Sequence, residues 1–134
     1  MRELKITLDS RAFQEAKAVR LNSTLETKVG AVITKGSKVL SCACNVAGSF
    51  TFRAKGIHTP IILPRHAEVM AVLYAGIENV REATIWVWRQ KKDDAPGIAR
   101  PCDRHCIRFL KFVGVKTAVY TTSEPPYFTI ENLE

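Results

Sequence analysis

The sequence predicts an α/β domain with parallel strands in its second half. Two observations carry this. Short segments rich in β-branched and aromatic residues alternate with segments of helical spacing, and the later ones run strand, helix, strand. No internal repeat, low-complexity tract or linker divides the chain. At 134 residues a single domain is expected over 1–134, its core roughly 10–122 with a short tail at 123–134.

Each element has its own signal. "SRAFQEAKAVRL" (10–21) reads as an amphipathic helix capped by Asp9 or Ser10, with Phe13, Ala16 and Val19 on one face. "VGAVITKGSKVLSCACN" (29–45) reads as two strands around a tight turn at Lys35–Lys38. Cys42 and Cys44 share a face of the second strand. Being two apart they cannot bridge each other, and they read as small buried hydrophobes. "GSFTFRAKGIHTPIIL" (48–63) reads as irregular chain, with His58 as a loop residue. Pro64 fits a helix's first turn, and Val69, Val72, Leu73 and Ile77 have helical spacing in 65–80. "ATIWVWR" (83–89) is a strand by its composition, and 90–99 is a loop punctuated by Gly and Pro. A helix over 102–114 closed by Gly114 and a strand over 115–122 complete the pattern.

Composition narrows the class. Apolar content of 46% and charged content of 25% are those of a soluble globular protein. No apolar run is long enough to span a membrane, and "MRELKITLDS" does not read as a signal peptide. A reducing compartment, the cytoplasm, is therefore expected, with the four cysteines as metal-binding, catalytic or buried thiols. A net charge of +7 suits phosphate-bearing partners, and equally suits a merely soluble surface.

The chemistry concentrates at two helix starts. His66 opens one; Cys102 and Cys106 open the other. If both helices lie side by side on one sheet, their N-termini converge. One imidazole and two thiolates then make a three-ligand tetrahedral set with one open position, the pattern of a catalytic zinc. A helix N-terminus also favours thiolate. Glu68, two residues past His66, is placed to act as a general acid/base. Trp86 and Trp88 share a strand face and read as core, with Trp88, near the strand's end, as the candidate to reach the mouth of the site. Arg89, Lys91, Lys92, Arg100, Arg104, Arg108 and Lys111 crowd the neighbouring loop and helix, interspersed with Asp93, Asp94 and Asp103. They read as a solvated charged surface or as a phosphate site.

His66-Ala67-Glu68, followed by Pro101-Cys102 and a nearby cysteine, resembles the cytidine/deoxycytidylate deaminase-like zinc deaminases. The likeness extends over roughly 10–122, through the hairpin ending at Asn45 and the strands "ATIWVW" and "VGVKTAVYTT". It implies a three-layer α-β-α sandwich with a mixed sheet of four or five strands. It also implies Zn²⁺ on His66, Cys102 and Cys106, and proton shuttling by Glu68. Asn45 and the backbone around Ala67 would contact substrate. The implied reaction is hydrolytic deamination of a cytosine-type base in a free (deoxy)nucleoside or (deoxy)nucleotide. Single-stranded DNA or RNA is the alternative substrate, a non-catalytic nucleic-acid or zinc-binding module the further alternative. A second copy of the chain is an expected partner, a membrane is not.

Two departures from the family pattern stand out. The cysteines are spaced Cys-x-x-x-Cys, so His105 falls where the second cysteine is usual. Positions three and four ahead share a helix face with Cys102, so spacing alone does not choose. Cys106 is preferred, because an extra residue can be absorbed before the first helical turn. The chain also ends in only "SEPPYFTIENLE", which predicts a sheet edge left exposed or covered by a partner.

Overall fold

A five-stranded mixed sheet organises the molecule, in the order β2-β1-β5-β6-β7. The computed structural model describes residues 6–52, 61–91 and 95–134. Its strands are β1 (Val29–Lys35), β2 (Lys38–Cys44), β3 (Ser49–Phe52), β4 (Ile61–Pro64), β5 (Thr84–Arg89), β6 (Thr117–Thr121) and β7 (Phe128–Asn132). Its helices are α1 (Arg11–Val19), α2 (Ala67–Ala75) and α3 (Arg108–Val113). β5 and β6 are the parallel pair expected of a strand–helix–strand unit; β1 is antiparallel to both β2 and β5.

Strand alternation sorts the side chains into two layers. Ala31, Ile33, Ile85, Val87, Ala118 and Tyr120 share a core with α2 and α3. Val32, Trp86, Trp88 and Val119 face α1, where Phe13 makes edge-on contacts with Trp86, Trp88 and Phe128 at 5.3, 5.6 and 5.9 Å. This is the expected three-layer α-β-α sandwich. Gly30 allows the close approach of α1. A β-carbon there would lie 1.9 Å from the carbonyl oxygen of Ala16. On the opposite face the Ser41 hydroxyl donates to the Ala71 carbonyl at 2.7 Å and fastens α2 to β2.

Several expectations are corrected. The tail is not a bare end: Phe128–Asn132 pairs antiparallel with β6 and supplies the fifth strand, so the tail itself covers the edge expected to be open. Its strand signal is weak in sequence because Pro125 and Pro126 precede it and its composition is mixed. Part of the stretch read as irregular forms a hairpin instead, β3 against β4, with Ser49 opposite Pro64. Pro64 thus ends an edge strand, where its missing N–H costs no ladder bond, rather than starting a helix. The following helix begins only at Ala67 and stops at Ala75, before Gly76 at φ +96°. Cys42 is exposed and Cys44 half-buried, because β2 is a sheet edge and α1 sits over β1 and β5. Among the described residues no helix is long and apolar enough to cross a membrane.

Candidate active site

The starts of α2 and of the Cys102 turn meet on the α2/α3 side of the sheet, near the carboxyl ends of the parallel strands. His66 is the N-cap of α2, in extended conformation, which leaves its imidazole outside the helix. Cys102 caps the second turn, its sulfur accepting the Cys106 N–H at 3.5 Å. That turn, Asp103–Ile107, is wider than an α-turn. The Ile107 N–H reaches back five residues to the Cys102 carbonyl at 2.9 Å. The extra residue between the cysteines is absorbed here, within the turn rather than ahead of it. Cys106 is consequently buried against His66, and half-buried His105 lies outside the ligand cluster.

His66 Nδ1 lies 3.2 Å from Cys106 Sγ and 4.0 Å from Cys102 Sγ, and all three donor atoms fall within 4.8 Å of one another. Tetrahedral zinc with ordinary bond lengths requires N···S separations of about 3.6 Å, between the two values seen. The electrostatics agree. Burial, then Glu68 and Cys102, push the Cys106 thiol far above its usual range. Burial likewise raises Glu68, against the Cys106 hydrogen bond and the nearby His66. Three potential anions thus crowd one imidazole, and a divalent cation relieves all of them at once. The donor set fits zinc.

A cleft of about 260 Å³ opens onto this cluster. Thr27, Val29, Asn45, Ala67, Glu68, Arg89, Ile98, Ala99 and Arg100 line it with His66 and Cys102. Asn45 is anchored: its Oδ1 accepts the Val29 N–H at 3.0 Å and its Nδ2 donates to the Thr27 carbonyl at 2.7 Å. One lone pair and one amide hydrogen remain for a ligand. Ala67 is wholly buried in the first turn of α2, where a backbone N–H has no helical acceptor. Trp88 is not brought to this site. It lies on the α1 face, only 4% exposed, because its alternation along β5 matches Trp86. His58, Lys92, Asp93 and Asp94 lie outside the described residues.

Two features in or beside the cleft were not singled out by the sequence analysis. Arg89, named there within a charged cluster read as solvated surface or as a phosphate site, shares the face of Ile85 and Val87, a position that the two-residue period of β5 already implied. Glu131 had no local signal. Register on β6 brings it to Tyr120, whose hydroxyl donates to it at 2.9 Å, and to Arg100, which meets it through two bonds of 2.9 and 3.0 Å.

With fold and site described, the relationships are clear. Residues 6–122 match the family described as the cytidine and deoxycytidylate deaminase zinc-binding region. The chain belongs to that family of zinc-dependent hydrolytic deaminases. Its fold is similar to that of a cytidine deaminase from Burkholderia pseudomallei. That match has 21% identity and a TM-score of 0.60, and covers 91% of this chain and 90% of that one. It is also similar to a dCMP deaminase from the cyanophage S-TIM5 in apo form. Identity there is 20% and the TM-score 0.53, covering 83% of this chain and 79% of that one. No curated protein matched the sequence.

Proposed function

We propose that the protein deaminates a cytosine-type base in a free nucleoside or nucleotide, releasing ammonia. The observation that supports it most is Glu68, a carboxyl beside the ligand cluster that also lines the cleft. Zinc on His66, Cys102 and Cys106 supplies, when bound, a water acidified to a pKa of about 7 and hence a nucleophile at neutral pH. The Glu68 carboxylate would take one proton from the attacking water and pass it to the ring nitrogen, then take a second from the hydroxyl of the adduct and pass it to the amine, which leaves as ammonia. The N–H at Ala67 and the remaining capacity of Asn45 orient the base and sugar. Ile98 and Ala99 form apolar lining on one side.

The monomer is preferred over a strand because net charge alone is a weak warrant for polymer binding. The retained Glu68 argues against a non-catalytic module. Four free cysteines suit the reducing cytoplasm. The test is ammonia release by zinc-loaded protein on cytidine, deoxycytidine, their monophosphates, guanine, adenosine and single-stranded oligonucleotides. Turnover of the cytosine monomers supports the assignment. Turnover confined to oligonucleotides moves the substrate to the polymer, and no turnover on any substrate removes the enzymatic reading. The same protein should carry about one zinc per chain, and chelation should lower its melting temperature.

A further inference from the structure

Two arginines line the cleft, and the structure treats them differently. Arg100 is held by both oxygens of Glu131, which also accepts the Tyr120 hydroxyl. Its charge is offset and its fork committed to shaping the wall. Arg89 is exposed, and among the described residues its guanidinium has one long hydrogen bond, to the Ile98 carbonyl at 3.4 Å, and no carboxylate partner. Its backbone, by contrast, is fixed. The Arg89 N–H donates to the Thr121 hydroxyl at 3.1 Å, and the Arg89 carbonyl accepts the Gly97 N–H at 2.7 Å. That hydroxyl, wholly buried, donates on to the Gly97 carbonyl at 2.7 Å.

We propose that Arg89 reads the phosphate of a nucleoside monophosphate whose base occupies the zinc end of the same cleft. This rests on the deaminase reading and narrows its substrate to the nucleotide. Charge is distributed for it. The acid lining the cleft from α2, Glu68, is buried against the ligand cluster, while the exposed part of the lining carries Arg89 together with Arg100 offset by Glu131. The other cleft-facing side chains of β1 and the preceding and following loops, Val29, Thr27 and Asn45, are neutral. Guanidinium on a rigid strand end suits bidentate contact with phosphate.

Binding is measured on zinc-loaded protein with ligands that are not turned over: inorganic phosphate, deoxyuridine and deoxyuridine monophosphate. The wild type should bind the monophosphate about 10- to 100-fold more tightly than the nucleoside. Arg89→Gln should lose most of that ratio, and Arg89→Lys should regain part of it. Zinc content and melting temperature confirm that both variants are folded. In parallel, kcat/KM on deoxycytidine monophosphate should fall in Arg89→Gln far more than kcat/KM on deoxycytidine. Equal affinity of the wild type for the two product ligands overturns the proposal, as does an equal loss for both in Arg89→Gln. Preference for an oligonucleotide overturns it too, when affinity drops with a logarithmic salt slope of about −0.7 for each of several phosphates. Failure of the deaminase reading is separate: it appears as absent turnover while the phosphate-binding ratio still reports on Arg89.

Discussion

The two faces of β5 serve opposite ends. Trp86 and Trp88 point toward α1 and join an aromatic cluster around Phe13, a face built of apolar contact. Ile85 and Val87 point the other way, and the same row ends at Arg89 in the cleft. One residue of displacement along a strand therefore separates the aromatic core from the cleft. Proximity to the strand's end is a weaker guide than the face a side chain occupies, which is why Trp88 is core and Arg89 is not.

The largest test of this contrast is on the site face. Cys106→Ser should lose stoichiometric zinc and all measurable turnover, whereas His105→Ala should keep the metal. Metal analysis of both proteins decides the point, and zinc lost only from His105→Ala would exchange their roles. Glu68→Ala should retain zinc and fold yet lose about 10²–10⁴-fold in kcat, since it removes the proposed proton carrier and not a ligand. Near-normal turnover of that variant takes Glu68 out of the mechanism.

On the opposite face the effects should be structural. Phe13→Ala removes the ring at the centre of the aromatic cluster and should cost about 3–5 kcal/mol, read by denaturant unfolding, with zinc still bound in the folded fraction. Trp88→Phe should be the mildest change, below about 1.5 kcal/mol. It loses ring area and the Lys17 ammonium 5.3 Å from the ring centre, but it also removes a buried indole N–H that has no hydrogen-bond partner among the described residues. Its KM should match the wild type; a several-fold rise would return Trp88 to the substrate site.

The legible part of the candidate site was the part encoded locally. His66 and Glu68 lie on one helix start and Cys102 and Cys106 on another, so residue type and spacing announce the donors. Cys106 rather than His105 lies within reach of His66 and Cys102, and the device that places it is a widened turn rather than slack ahead of the helix. β3 and β4 were not legible. Each is only four residues long, and their pairing depends on residues on either side of a long intervening stretch.

By itself the sequence determined the alternation of strands and helices, the donor set for zinc and the carboxyl beside it. These depend on periodicity and on residues a few positions apart, which covalent geometry brings to one face or one turn. Tertiary structure alone decided that the C-terminal segment closes the sheet, that Glu131 meets Arg100 across a distance of 31 residues, and that Arg89 shares a cleft with His66. Those relations follow from strand order and register. Both are set by the packing of the whole sheet between its two helical layers, and no short window of sequence contains them.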